Sequence, residues 1–594
     1  MKQKNCLLLV IDSLNYSHVK ESPINLMPYT KELAKKAIVC ENMFSQGPFT
    51  EAATASLYCG QNTLDNGGYM FSFKNAPSTL FEEMQKYGYL TYYNSYSMHF
   101  HPSSLRRGVD ALYYAGGYGP SSLWSYRFYH YSDLYKKGEL NDEDYSALYT
   151  FFDDNFAVWI RFTDDIINHS ESVSIIYDTA PNYDAESVKQ QVLAEQSKYL
   201  KNPKQYVDEV LKTGNLHRFF KIPAYVMSKK ISDRAAMIPI RKELKPLFDR
   251  IRSIQIRQNY KNALGKILVS PLKKCGDFIR HPTKSTFREF EDSGYLTIQY
   301  LFDPDLYQRI NKNYDSFKSS LSGRTFIEHY INWAAEQSGD NPHFACIHID
   351  DVHYNEEFFT WDSTDMNLIR KEIDMANEIL DKIPKEYYGC VTHDLSLRYA
   401  DSVIQYLFEQ LEEKNLLDDT YVAVCADHGY SYSGNPIRGS IVRNLYLENY
   451  NIPFLLYGKD LPAKRITKLC ASKDIPATLC NTMFGSVPES FTGHDVSEDF
   501  EYPCLMIEYC GGGCPDMKRR ELKVAAFDKD YFVGTLGTID NLDKSIITEI
   551  YDLKSDNRQL HNLVRKKYDP KKVDALFEHI VNRKIEMKKT MPRS

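Results

Sequence analysis

The stretch Tyr421-Val-Ala-Val-Cys-Ala-Asp-His-Gly429 is a short apolar run that ends abruptly in an acid, a histidine and a glycine. Two more stretches share this design, Cys6-Leu-Leu-Leu-Val-Ile-Asp12 and Phe344-Ala-Cys-Ile-His-Ile-Asp350. Apolar runs of this length are typical of strands that are covered on both faces. The three stretches therefore predict strands of a buried sheet, each with an acidic side chain at its carboxyl end.

A helix is predicted between the strands that begin at Phe344 and Tyr421. From Ser396 to Glu413 the apolar residues repeat at helical spacing. Strand, helix and strand in this order favour an α/β fold with a mostly parallel sheet, and such sheets bind ligands beyond the carboxyl ends of their strands. A single strand-terminal aspartate also fits a helix cap or a turn. Three acidic ends together indicate a site.

The composition is that of a large globular protein. Of its 594 residues, 43% are hydrophobic and 25% are charged, which excludes disordered, collagen-like and coiled-coil chains. The net charge of −7 excludes bulk electrostatic attraction to nucleic acid, so no nucleic-acid partner is expected.

The cysteines and the first residues indicate a location. Several of the twelve cysteines lie inside apolar runs, where reduced thiols pack as small hydrophobic side chains. The apolar run after Asn5 is too short for a signal peptide, and no run reaches the roughly 18 residues of a membrane span. We therefore expect a cytoplasmic protein, or one peripheral to a membrane, with no signal peptide or transmembrane segment.

The chain is predicted to have three parts. The strand and helix alternation occupies 1–115 and 325–480, and a helical, basic, aromatic-rich insertion occupies 116–324. Within this insertion, residues 201–290 carry a net charge of +14, which favours contact with an anionic membrane or another polyanion. A solvated helical face or a seam against the acidic core fits the same charges. Shorter alternating strands predict a smaller α+β subdomain at 481–594.

Acidic and imidazole side chains at the strand ends indicate a divalent metal site. Asp427 and His428 stand side by side where the backbone turns, and Asp12 can complete the ligand set from a neighbouring strand. Thr50 lies where a loop enters a short helix. It fits an ordinary helix N-cap, but beside a metal its hydroxyl becomes a nucleophile at a helix start that favours anions.

Six segments, in chain order, resemble the sulfatase branch of the alkaline phosphatase superfamily. Thr50–Gly60 keeps the spacing of the family's nucleophile loop, C/S-x-P-S-R-A-x-L-x-x-G, and Cys425–Gly429 resembles its T-S-D-H-G motif. The resemblance covers roughly 1–115 and 325–594, and it implies an alkaline-phosphatase-like sheet sandwiched by helices. The other segments are the first strand end Leu9–Leu14, the G-Y-x-T segment Gly88–Thr91, the H-x-x-D-x-H strand end His348–His353 and the carboxy-terminal motif Glu549–Leu563.

Departures from the family pattern bear on the reaction. Thr50 stands where sulfatases have the Cys or Ser that is oxidised to formylglycine, and threonine cannot yield that aldehyde. Ser13 stands where sulfatases have a second acidic residue, and the segment that ends at His99 lacks the family's lysine. A threonine nucleophile resembles instead the phosphotransferase and phosphodiesterase relatives, such as polyglycerol-phosphate synthases and phosphoethanolamine transferases.

The resemblance implies roles for individual residues. Thr50 would form the covalent intermediate, and His353 would contact the anion or protonate the leaving group, with a packed histidine as the alternative. One divalent ion is expected, Mn²⁺ or Zn²⁺ in the first place and Mg²⁺ or Ca²⁺ in the second. Its ligands would be Asp12, Thr50, Asp427 and His428.

Further side chains are candidates for substrate contact or for a second metal. Two of them, Arg438 and Arg443, also fit ordinary surface positions. The spacing of the candidates for a second metal is not decisive. Substrate contacts are expected from His99, Asp351, Arg438 and Arg443. Additional metal ligands would come from Asp351, His353, His393 and His494.

The expected function is metal-dependent hydrolysis or transfer of phosphate esters, either diesters or monoesters, through a Thr50 intermediate. The substrate would be a phosphorylated or sulfated small molecule, glycan or lipid precursor. Two alternatives stay open. One is a sulfuric ester hydrolase that works without formylglycine, and the other is a non-catalytic scaffold whose insertion binds a polyanion.

Overall fold

A computed structural model gives the fold. Among the helices that it describes, none combines the length and the apolar character needed to cross a bilayer. The described residues are 3–20, 24–68, 72–95, 107–114, 131–132, 134–168, 184–213, 239–240, 242–251, 253–254, 275, 279, 322–337, 342–353, 358–360, 363–384, 391–430, 445–510 and 522–590.

A mostly parallel sheet forms the centre of the protein. Its described strands are β1 Asn5–Ile11, β2 Ile38–Phe44, β3 Leu90–Ser95, β4 Ala111–Tyr114, β5 His343–Ile349, β6 Thr420–Cys425, β7 Asn451–Tyr457, β8 Lys464–Ile466 and β9 Cys470–Ala471. The spatial order is β4-β3-β5-β1-β6-β7-β2-β8, and β9 also pairs with β2. Strand β7 pairs antiparallel with both of its neighbours.

The three apolar stretches of the sequence are adjacent strands at the middle of this sheet. Strand β1 lies between β5 and β6 and is parallel to both. Every side chain from Cys6 to Ile11 is fully buried, and because successive side chains point to opposite faces, both faces of β1 are covered. Parallel strands end at the same edge, so Asp12, Asp350 and Asp427 lie along one edge of the sheet. The predicted fold class is confirmed.

Helices flank the sheet. The helix Val391–Glu413, named α11, begins before the predicted Ser396. Its first turn contains Thr392, His393 and Asp394, which are buried but polar, so the apolar repeat does not reveal this turn. The described helices are α1 Tyr16–Lys20, α2 Pro28–Ala34, α3 Thr50–Cys59, α4 Ser72–Asn75, α5 Leu80–Lys86, α6 Asp142–Ile167, α7 Ala185–Lys201, α8 Pro203–Thr213, α9 Gly323–Glu336, α10 Met366–Lys382, α11 Val391–Glu413, α12 Asp474–Phe484 and α13 Pro570–Thr590.

Helices α6, α7 and α8 pack on one another through aromatic side chains. The ring of Phe152 lies 5.8 Å from that of Tyr199 and 5.6 Å from that of Tyr206. Such contacts account for part of the aromatic content of this region. Most of residues 201–290 lie outside the described residues, so the predicted contact of this basic segment with an anionic membrane stays a prediction, as do the predicted domain boundaries.

A smaller antiparallel sheet follows and packs with the long helix α13. Arg583 on this helix ties it to the rest of the protein, because its guanidinium bonds to Glu508 through Nε and through Nη2 at 3.0 Å. The same guanidinium lies 2.8 Å from Asp65, shortly after α3. The predicted α+β character of the carboxy-terminal part is confirmed. The strands of this sheet are β10 Leu505–Cys510, β11 Leu522–Phe527, β12 Tyr531–Gly537 and β13 Ile547–Asp552.

Candidate metal centre and nucleophile

Two strand ends and one helix start bring four side chains together. Asp12 directly follows β1, Asp427 and His428 follow the neighbouring strand β6, and Thr50 is the first residue of α3. One ligand atom from each of Asp12, Asp427 and His428 lies within 4.8 Å of the other two. All four side chains are buried. The predicted metal ligands therefore meet in one cluster, and their chemical roles stay predictions.

The hydroxyl of Thr50 points into this cluster. Its Oγ1 donates a hydrogen bond of 3.1 Å to Asp12 Oδ2. The N-cap position of α3 is taken by Phe49, so the alternative that Thr50 caps the helix is wrong. Gly47 is required just upstream, because a Cβ there would lie 2.5 Å from the backbone carbon of Ala52. The hydroxyl thus lies at the amino end of a helix, whose dipole favours a bound anion.

Ser13 links the two carboxylates of the cluster. Its backbone adopts a φ of 64°, a left-handed conformation that is uncommon for residues other than glycine. In this conformation its N–H donates to Asp427 Oδ1 at 3.2 Å, and its hydroxyl donates to Asp12 Oδ1 at 2.7 Å. The residue that replaces the second acid of sulfatases therefore orients the two aspartates.

The loop after β6 is held by Asn15. Its Oδ1 accepts from the backbone N–H of Tyr430 at 2.8 Å, and its Nδ2 donates to the carbonyl of Glu448. Gly429 is required here, because a Cβ at this position would lie 2.7 Å from Asn15 Nδ2. This close approach explains why a glycine follows His428.

The imidazole of His428 is oriented by its own loop. Its Nδ1 donates to the carbonyl of Gly429 at 2.8 Å, which leaves Nε2 as the atom that faces the carboxylates. Nε2 lies 3.4 Å from Asp12 Oδ1 and 3.6 Å from Asp427 Oδ2. The hydrogen bond of Nδ1 thus fixes the ring while Nε2 faces the cluster, as is usual for histidines that bind metals.

Charge and burial oppose each other in the cluster. Burial alone would raise the pKa of Asp12, but the imidazoles of His353, His428 and His348 and the Ser13 hydroxyl hold it well below its usual range. Burial would lower the pKa of His428, and the charges of Asp427 and Asp12 reverse this and raise it. The Asp12 carboxyl is therefore ionised at neutral pH, which is the form that binds a cation.

These residues fit a divalent cation. Two buried carboxylates repel each other unless positive charge compensates them. Carboxylate oxygen and imidazole nitrogen are ligands that Zn²⁺ and Mn²⁺ accept. Asp12, Asp427 and His428 would hold the ion, and the Thr50 hydroxyl is hydrogen-bonded to one of these ligands.

Two side chains of the cluster were not among the predicted site residues. Nε2 of His348 lies 3.8 Å from Asp12 and 3.7 Å from Asp427. This histidine lies inside an apolar strand, and only the first position of the H-x-x-D-x-H motif signals it. The other is Glu51, which follows Thr50. Its pKa is raised by burial and, to a smaller extent, by the charge of Asp12.

The predicted substrate-contact residues have different positions. His353 lies in the turn after β5, where its N–H donates to the carbonyl of Asp350 at 3.0 Å, and its charge acts on Asp12. Asp351 Oδ1 accepts from the N–H of Gly323 at 3.0 Å, at the start of α9. Its contact with substrate stays a prediction. The remaining three, His99, Arg438 and Arg443, lie outside the described residues.

Of the two other predicted ligands for a second metal, neither belongs to this cluster. His393 faces His18, with 3.4 Å between their Nε2 atoms. His494 stacks on Phe500 with 3.7 Å between the ring centroids.

Comparison with known proteins identifies the family. The sulfatase family model matches residues 4–202 and 276–486, more than half of the chain. The chain therefore belongs to the sulfatase family, within the alkaline phosphatase superfamily, and is an ester hydrolase by family. This confirms the resemblance found in the sequence.

Three solved structures that match the chain have low sequence identity to it. A phosphonate monoester hydrolase from Silicibacter pomeroyi is 11% identical, with a TM-score of 0.48 over 100% of this chain and 96% of that one. A phosphonate monoester hydrolase of Agrobacterium radiobacter is 10% identical, with a TM-score of 0.47 over 99% and 96%. An alkaline phosphatase superfamily protein from Vibrio parahaemolyticus is 11% identical, with a TM-score of 0.47 over 100% and 89%. These similarities assign no activity to this chain.

Proposed function

We propose that this protein is a metal-dependent hydrolase or transferase of phosphate esters that works through a covalent intermediate on Thr50. The observation that carries the proposal is the hydrogen bond from Thr50 Oγ1 to Asp12, within a cluster that also contains Asp427 and His428. It supports a role for the Thr50 hydroxyl as a nucleophile that acts beside bound metal.

Thr50 also argues against the reaction that gives the family its name. Formylglycine forms by oxidation of Cys or Ser, whereas threonine carries a methyl group that prevents the aldehyde. A threonine hydroxyl can attack phosphorus directly, so the chemistry proposed needs no modification of the chain.

The residues present fit a two-step displacement. A divalent cation bound by Asp12, Asp427 and His428 supplies positive charge that favours ionisation of a hydroxyl and stabilises the anion. The Thr50 hydroxyl gives its proton to bulk water, and Oγ1 attacks phosphorus while the bond from phosphorus to the leaving oxygen breaks and His353 gives that oxygen a proton. Water or an acceptor hydroxyl next gives a proton to His353 and attacks the phosphothreonine, and the Thr50 oxygen leaves in the ionised form in which it attacked. Placement and electrostatic stabilisation dominate phosphoryl transfer.

The substrate class follows from the same chemistry. The proposed substrates are phosphodiesters or phosphomonoesters of small molecules, glycans or lipid precursors, in a cytoplasmic or membrane-peripheral setting. The basic segment 201–290 supports a polyanionic or membrane-associated substrate through its charge.

A substrate panel tests the proposal. Turnover of an aryl phosphodiester, an aryl phosphomonoester and an aryl sulfate is measured with added Mn²⁺ or Zn²⁺ for the wild type, Thr50→Ala and Thr50→Ser. We expect phosphate ester cleavage that falls by about 10³-fold or more in Thr50→Ala and is partly retained in Thr50→Ser, which keeps the hydroxyl. Mass spectrometry of the quenched enzyme should show phosphate on Thr50.

The remaining outcomes separate the alternatives. Sulfate cleavage that survives Thr50→Ala would overturn the nucleophile assignment and favour a sulfuric ester hydrolase. A folded protein that binds no metal and turns over no substrate would favour the non-catalytic scaffold.

A further inference from the structure

A pair of histidines forms a second site for a metal, apart from the Asp12 cluster. His18 lies on α1, shortly after the loop that carries Asp12, and His393 lies in the first turn of α11. Their Nε2 atoms are 3.4 Å apart, the ring centroids are 5.1 Å apart, and the ring planes cross at 71°. Because the nitrogen atoms are closer than the centroids, the rings meet through their Nε2 edges rather than their faces.

The distance between the nitrogens fits two ligands of one ion. Zinc binds imidazole nitrogen at about 2.0–2.1 Å in tetrahedral geometry, which sets two such nitrogens about 3.3–3.4 Å apart. The observed separation of 3.4 Å is long for a hydrogen bond between the two rings, and it equals the separation expected for two nitrogens that share one ion.

The surroundings of the pair leave a path by which an ion can reach it. His393 is buried whereas His18 is partly exposed, so an ion can enter from the side of His18.

We propose that His18 and His393 together bind a Zn²⁺ ion, or another divalent ion that prefers nitrogen ligands, with water in the remaining coordination positions. The ion would join α1 to the first turn of α11. Helix α1 begins shortly after Asp12, so the ion would act as a structural clip beside the candidate active site. The inference does not depend on the reaction proposed above.

The test separates this site from the Asp12 cluster. The full-length Thr50→Ala/Asp427→Asn variant, which lacks two of the predicted ligands of that cluster, is dialysed against Zn²⁺, and bound zinc is measured by elemental analysis. We expect one Zn²⁺ per chain. Adding His393→Ala or His18→Ala should weaken this binding by more than the roughly 10–100-fold that loss of an outer-shell partner costs.

Two further measurements keep the test decisive. Co²⁺ in place of Zn²⁺ should give the intense visible absorption of a tetrahedral site in the parent variant and lose it in His18→Ala, whose partly exposed position makes misfolding less of a concern. Adding His494→Ala serves as the matched control and should leave zinc binding unchanged, because His494 stacks on Phe500. Circular dichroism reports whether each variant is folded.

Two results would overturn the proposal. One is a folded Thr50→Ala/Asp427→Asn variant that binds no Zn²⁺. The other is zinc binding that is the same with and without His393, because the ion would then lie elsewhere.

Discussion

Asn15 shows how a residue outside the predicted metal set controls the geometry of the centre. Its side chain bonds to Tyr430 and to Glu448, and it packs against Gly429 so closely that no other residue fits there. The position of His428 therefore depends on the side-chain amide of Asn15. Neither of these two hydrogen bonds involves a metal-ligand atom.

Replacing Asn15 by alanine should weaken metal binding. The loop after β6 loses both side-chain bonds, so His428 is less well oriented, and we expect affinity for Mn²⁺ or Zn²⁺ to fall about 10–100-fold. Isothermal titration of the metal into apo protein measures this. Asn562→Ala is the matched control, because the Asn562 side chain likewise bonds only to backbone groups, here three, of Ile550, Thr548 and Val564 in the carboxy-terminal part. Equal affinity in Asn15→Ala and the wild type would contradict the prediction.

Helix α13 is joined to the rest of the protein by a buried cluster of charges. Arg583 is 6% exposed and faces two carboxylates, of Glu508 and Asp65. Because all three groups are buried, each needs the opposite charge of its partners to be stable there. A neighbour on the same helix, Lys584, is fully buried and donates to the carbonyls of Thr538 and Asn541.

Removing the charge of Arg583 should destabilise the fold. In Arg583→Met the two carboxylates lose their counterion, and a broken buried pair costs about 3–5 kcal/mol. Urea unfolding measures the change. Lys588→Met on the same helix removes an exposed ion pair with Asp540 and should cost only about 0–1 kcal/mol. Similar losses in both variants would show that Arg583 is no more important than a surface charge.

Lys584 gives stability a pH dependence. Burial lowers its pKa to about 8 from the 10.5 of an exposed lysine, so the folded state binds fewer protons than the unfolded state between these values. Its contribution to the free energy of unfolding therefore rises with pH in this window. Urea unfolding of the wild type and Lys584→Met, at pH values below 8 and near 10, should show the wild type gaining stability relative to the variant. Parallel pH profiles would argue against this.

Metal removal should affect the stability of the whole molecule. An ion that binds only the folded state stabilises it by about 2.7 kcal/mol at 100 times its dissociation constant, and Asp12 and Asp427 come from strands at the middle of the sheet. A chelator should lower the thermal midpoint of the His18→Ala variant, in which the second proposed site is removed, and Mn²⁺ should restore it. The same protein with Asp427→Asn added should respond to neither treatment, and a response there would place the ion elsewhere.

The sequence predicted the centre of the fold closely. Strands β1, β5 and β6 begin within one residue of the apolar runs, because continuous burial on both faces leaves an unmistakable apolar pattern. The meeting of Asp12, Thr50, Asp427 and His428 was also predicted, since parallel strands end at one edge. Polar contacts between distant segments left no such pattern. Asn15 with Tyr430 and Arg583 with Asp65 have no periodic signal, and His348 was hidden within an apolar strand.

The position of β1 between β5 and β6 also matters while the protein is being made. Cys6 lies opposite Phe344 and Tyr421, and a ribosome adds about 5–20 residues per second. The nascent strand therefore waits on the order of tens of seconds before either neighbour has been synthesised. Translation that stops before β6 would release a fragment whose most apolar strand has an open edge, so such fragments should be bound by chaperones or aggregate.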